Sequence, residues 1–110
     1  ISPITGLQEA KKTLQQHPFQ VEALQKALPI LNKNKLEKLG YDAALAALQW
    51  NEDIPVYYLI YAMQAYQLGE IAYGEEATKQ LKVLDVSTYQ ANQKILEEAL
   101  LQAQQRQKFN

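Results

Sequence analysis

Residues Ile54–Gly69 read IPVYYLIYAMQAYQLG, and this stretch decides the fold. From Ile54 to Leu68 it is apolar almost all round, with Tyr57, Tyr58, Leu59, Ile60, Tyr61, Met63 and Tyr66, interrupted only by Gln64 and Gln67. A helix without a polar face must be covered on several sides. The segment therefore reads as a central helix with other helices packed around it. Asn51-Glu52-Asp53 supplies its cap, and Gly69 closes it as a left-handed terminator. The run falls short of the ~20 residues that cross a bilayer, so no membrane insertion is expected.

Working outward, the flanking segments carry the same helix-forming residues, Ala, Leu, Gln, Glu and Lys, divided by short breaks. Ser2-Pro3 starts a first helix through Leu7, Ala10 and Leu14, with Ser2 as its cap, and His17-Pro18 stops it. Pro18 opens a second, with Val21, Leu24, Ala27, Leu28 and Leu31 inward. Pro29 predicts a kink or an early end there. A third, Lys35 to Trp50, turns Leu36, Leu39, Ala43, Ala44, Ala47 and Leu48 inward. A fifth, about Ala72 to Leu84, buries Ala77, Leu81 and Leu84. Ser87-Thr88-Tyr89-Gln90 fits a capping box for a last helix that buries Ile95, Leu96, Ala99, Leu100 and Ala103 and frays over Gln102 to Gln107. The expected architecture is all-α, about six helices with short antiparallel connections.

The 110 residues are 47% hydrophobic and 21% charged, the balance of one folded soluble domain. A net charge of −1 offers no surplus of Lys and Arg to displace counterions from phosphates, so nucleic acid is not an expected partner. Absence of cysteine removes disulfides, thiolate nucleophiles and Cys zinc sites, and leaves the compartment open. The chain begins Ile1-Ser2-Pro3, not with Met, and reads as a processed or excised piece.

A period organises the chain. Gly6, Gly40 and Gly74 are spaced by 34 residues, each before a similar segment, and the breaks at His17-Pro18, Asn51-Glu52 and Asp85-Val86 keep the same phase. Leu14 matches Leu48, and Leu28 matches Ala62 and Leu96. Recurring glycine inside a helix predicts a close approach of two helix backbones, where a β-carbon would clash. Gly6, Gly40, Gly74 and Ala62 are the expected close-packing positions.

On these residues the chain resembles the tetratricopeptide repeat family, helix–turn–helix units of ~34 residues stacked into a right-handed superhelix. Ile54 to Val86 is the best-matching unit, through Tyr58, Ala62, Gly69, Gly74, Leu84 and Asp85. The resemblance implies a truncated unit over 1–17, a degenerate unit over 18–51, the best unit over 54–86 and a polar-backed capping helix over 87–108. It also implies that the first helix of each unit lines the hollow of the stack, which Val56, Leu59, Met63, Tyr66 and Gln67 would face. One branch of the family clamps a terminal carboxylate with Asn and Lys on that wall. Leu59 and Met63 stand there here, so the implied groove is apolar and Tyr-rimmed, or filled by another helix.

Catalytic chemistry is thin. His17 is the only imidazole and reads as a helix-end residue, while Glu52-Asp53, Glu75-Glu76 and Glu97-Glu98 diverge by ~100° as neighbours on a helix. No phosphate loop, H-E-x-x-H or EF-hand spacing occurs. The sequence predicts no catalytic residues, no metal and no cofactor. Five of seven tyrosines, Tyr57, Tyr58, Tyr61, Tyr66 and Tyr73, lie close together, either as core with hydroxyls at the rim or as the edge of a peptide groove. Two functions follow: an interaction module holding a protein or peptide, or a capping or self-association domain with no ligand of its own.

Overall fold

A computed structural model describes residues 3–108 and contains six helices: α1 (Pro3–Gln16), α2 (Val21–Lys33), α3 (Glu37–Gln49), α4 (Pro55–Leu68), α5 (Ile71–Leu84) and α6 (Val86–Lys108). Consecutive helices run antiparallel and pack on one another. In addition, α4 touches both α2 and α6. The even-numbered helices thus form one layer, with α4 in its middle, and the odd-numbered helices lean on them from the other side. The result is a slab of 38 × 36 × 20 Å, two helix layers thick at the usual 8–10 Å between axes.

The 34-residue period is written into the helix boundaries. α1, α3 and α5 begin at Pro3, Glu37 and Ile71, and α2 and α4 at Val21 and Pro55, each one period apart. Gly6, Gly40 and Gly74 are the fourth residue of their helices, inside them and not before them. Turns repeat as well. Gln20 N–H donates to the His17 carbonyl at 3.3 Å, and one period later Ile54 N–H donates to Asn51 at 3.0 Å. Leu36 N–H reaches back to the Leu31 carbonyl, and Glu70 N–H to Ala65, both at 2.8 Å, the 6→1 bond of a Schellman turn.

The left-handed residue of that turn is Gly69 (φ 95°) in one copy and Lys35 (φ 62°) in the other. A β-carbon costs about 1–2 kcal/mol in this conformation. Lys35→Gly is therefore expected to raise stability by about 1 kcal/mol and Gly69→Ala to lower it by a similar amount. Urea midpoints at unchanged slope check both.

Several boundaries differ from the sequence reading. The Ser2 cap lies outside the described residues. α2 begins at Val21, not Pro18, because residues 17–20 form the turn. Pro29 does not end α2, which runs on to Lys33; Pro29 has no N–H to offer the Gln25 carbonyl, and both residues are exposed. α3 starts at Glu37, two residues late, because Lys35 is left-handed. Leu39, Leu84 and Ile95, expected inward, are 43–45% exposed. All three lie on helices other than α4, the one helix packed against four others.

Asp85, not Ser87, caps α6. Its carboxylate accepts the Thr88 hydroxyl at 2.7 Å and the Thr88 N–H at 3.2 Å, while Ser87 lies within the helix. The Thr88 hydroxyl, then the backbone donors, hold the Asp85 carboxyl below its ordinary value of 3.8. A depressed folded pKa gives stability that is full above the unfolded value and is lost as pH falls through the folded one. Asp85→Ala is expected to lower Tm by a constant amount from pH 5 to 8, a difference that shrinks below about pH 4. Thermal scans across pH read it.

The closing turns of α6 do not fray as expected. Ala103 is fully buried, the Arg106 guanidinium donates to the Tyr66 carbonyl at 2.7 Å, and the Gln107 amide donates to the Gly69 carbonyl at 2.7 Å. These donors satisfy the open carbonyls at the end of α4, and the Arg charge complements its dipole.

Candidate functional site

The residues placed on the groove wall separate into two groups. Val56, Leu59, Met63 and Gln67 follow one another at spacings of three, four and four, which puts them on one face of α4. Val56, Leu59 and Met63 are half-buried against the core and Gln67 is exposed. The other residues of α4 from Tyr57 to Tyr66, Tyr58 apart, are buried, so this is its least covered face. Gln67 stands at its C-terminal end, beside a recess shared with Arg106 and Gln107.

Tyr66 does not belong to that wall. It is 2% exposed and lies against Gly74 of α5, where a β-carbon would sit 2.4 Å from its ring. Thr78 donates its hydroxyl to the Gly74 carbonyl at 2.8 Å and so accepts from the Tyr66 hydroxyl at 3.2 Å. Burial raises the Tyr66 pKa. Tyr66 shares a recess with Tyr89, Leu96 and Leu100 of α6, which the angular position on α4 alone does not reveal.

Other tyrosines divide in the same way. Tyr57 donates to the Phe19 carbonyl, and Tyr61 meets Tyr41 hydroxyl to hydroxyl at 2.7 Å, rings 5.3 Å apart. Burial, then the Tyr41 bond, pushes the Tyr61 pKa well up. These three are core with satisfied hydroxyls. Tyr58 is half-buried and Tyr73 is 58% exposed. Tyr58 is turned about 100–160° round α4 from Leu59, Met63 and Val56, so no exposed tyrosine of α4 rims the strip.

Close-packing positions fare unequally. At Gly40 a β-carbon would meet Gln64 Nε2 at 2.7 Å and the Leu28 methyl at 3.0 Å; at Gly74 it would meet the Tyr66 ring. Nothing lies within 4 Å of the same point on Gly6, so no close contact exists there. The neighbours are side chains and not a second backbone, which corrects the expected cause of the period. Ala62 is fully buried.

Gln64 is the residue the sequence reading passed over. It is 3% exposed, the one buried polar side chain among the described residues. Its amide pairs with Asn32 in both directions, Asn32 Nδ2 to Gln64 Oε1 at 3.1 Å and Gln64 Nε2 to Asn32 Oδ1 at 2.7 Å. It also donates to the Glu37 carbonyl at 3.1 Å. One side chain so ties α4 to the end of α2 and the start of α3. A glutamine inside an apolar helix was the available signal, since a buried amide needs partners.

His17 is exposed and its N–H bonds the Thr13 carbonyl at 2.9 Å, as a helix-end residue does. Among the described residues no group of three His, Asp or Glu side chains converges as a metal site, and no helix is long and apolar enough to cross a membrane. No protein-family model, curated protein or solved structure matches this chain, so its function has to be read from its own residues.

Proposed function

We propose that this chain is a protein-interaction module of the tetratricopeptide kind that holds an apolar helix or peptide along the open strip of α4. The observation that carries the reading is Val56, Leu59 and Met63, aliphatic and only half-buried, on the central helix of the even-numbered layer. Further support comes from the one-period recurrence of helix starts and of two turn types. The units are 1–17, 18–51, 54–86 and the capping helix 87–108. An aliphatic wall suits an apolar anchor and offers no donor to a terminal carboxylate. The module works without catalysis or cofactor.

A second reading, a capping or self-association domain with no ligand of its own, draws support from Tyr57, Tyr61 and Tyr66 being core and from α6 closing over α4. Leu59→Glu and Met63→Glu separate the two. At half-buried positions both are expected to leave the fold intact by circular dichroism. Under the proposal each abolishes capture of a partner that the unmodified chain takes from its source cell. Capture that survives both substitutions contradicts the proposal.

A further inference from the structure

The turn between α1 and α2 and the turn between α3 and α4 meet at one end of the slab. Tyr57 bonds the Phe19 carbonyl there, and the Phe19 and Trp50 rings stand 5.8 Å apart, tilted by 32°. Trp50 remains 75% exposed and Phe19 37%. A tryptophan with most of its surface in water contributes little to the core. With Phe19 and with Ile54, 45% exposed in the same turn as Trp50, it puts three large apolar side chains in water at one corner, a clustering that marks a contact surface.

The surroundings are acidic. Glu52 and Asp53 follow Trp50 in the same turn, both exposed, and Glu22 is exposed at the start of α2. No Lys or Arg occurs between Lys38 and Lys79, nor between Lys12 and Lys26. The one ion pair among the described residues, Lys38–Asp42, lies outside both turns. Glu52 and Asp53 therefore face solvent without a partner cation. Their charge reaches the Tyr58 hydroxyl, whose pKa is raised by burial first and by these two carboxylates after it.

We propose that this corner, Trp50 with Phe19, Glu52 and Asp53, is a docking site for a lysine- or arginine-bearing segment of a partner protein. The cation would lie over the indole face, where the ring quadrupole attracts it. The carboxylates would supply the balancing charge, and the Phe19 edge would seat the aliphatic stem. This surface is built from the two turns and not from Leu59 or Met63, so its test is distinct from that of the function proposed above.

Trp50 is the only tryptophan, so its fluorescence reports the site directly. A random dodecapeptide phage library selected on the chain is expected to yield sequences enriched several-fold in Lys or Arg. Synthetic copies should quench or shift Trp50 emission, and replacing their cations with Gln should weaken binding at least tenfold. Raising salt should weaken it too. By peptide-anisotropy titration, Trp50→Leu, which keeps an apolar side chain but no π face, should lose at least tenfold, as should the pair Glu52→Lys with Asp53→Lys. Leu59→Glu should stay within twofold. Four results overturn the proposal: no enrichment in cations, equal binding of Gln peptides, binding that survives Trp50→Leu, or self-association that buries Trp50 in sedimentation runs without peptide.

Discussion

Tyr66→Ala lowers the free energy of unfolding by about 3–5 kcal/mol, the range for removing a large aromatic from a core. For a domain whose whole stability is about 5–15 kcal/mol, this is a large share. The ring is almost fully buried, and it is seated on Gly74, a residue with no side chain to fall into the space it leaves. α6 is tied across the same point by Arg106 on the Tyr66 carbonyl, which limits collapse from that side. Tyr66→Phe, which keeps the ring and loses only the bond to Thr78, is expected to cost about 1 kcal/mol. Urea unfolding of both variants makes the comparison. A loss below about 1.5 kcal/mol for Tyr66→Ala would mean that the ring is not a spacer between α4 and α5.

Gln64→Leu is expected to cost about 2–4 kcal/mol, although leucine is more hydrophobic and of similar size. The substitution leaves the Asn32 amide and the Glu37 carbonyl facing an apolar group. Each buried polar group without a partner costs about 1–3 kcal/mol, and the half-buried Asn32 recovers part of this from water. Adding Asn32→Leu should restore some of the loss, since removing both halves of a polar pair is far less harmful than removing one. The double-mutant cycle should show a coupling of about 1–3 kcal/mol. Additive losses would show that the two amides are not a unit.

These two residues explain what the sequence made legible and what it did not. An all-round apolar Ile54–Leu68 required a central helix, and α4 is that helix; Gly69 ends it in the left-handed conformation expected. The glycine spacing located the odd-numbered helices, and at two of its three positions, Gly40 and Gly74, a side chain sits on the glycine. What sits there was hidden. Tyr66 precedes Gly74 by eight residues, and Asn32 precedes Gly40 by the same number. Yet the atoms that fill the Gly40 notch come from Gln64, one helix further on, with Asn32 holding them. Periodicity shows where a helix is notched, not which side chain fills the notch.

The candidate surface follows the same division. The family resemblance grouped Val56, Leu59, Met63, Tyr66 and Gln67, and of these Val56, Leu59, Met63 and Gln67 share one face of α4. Tyr66 shares their angular sector but lies where α6 crosses, and no local pattern states where a later helix crosses. Trp50 entered the sequence reading only as the end of the third helix, with no role assigned to it. Only the meeting of two turns, distant in sequence, shows that it has almost nothing to pack against.

The central claim is that helix spacing is set by side chains seated on Gly40 and Gly74, while Gly6 shares their phase without that contact. Urea unfolding of Gly6→Ala, Gly40→Ala and Gly74→Ala tests it in one series. Alanine is intrinsically favoured over glycine in a helix by about 1 kcal/mol, so Gly6→Ala should be stabilised by up to that amount. Gly74→Ala should lose about 1–3 kcal/mol through overpacking against the fixed Tyr66 ring, and Gly40→Ala should lose stability by displacing the bonded Gln64 amide. If all three variants gain stability alike, the notches are empty of consequence and the account of this fold is wrong.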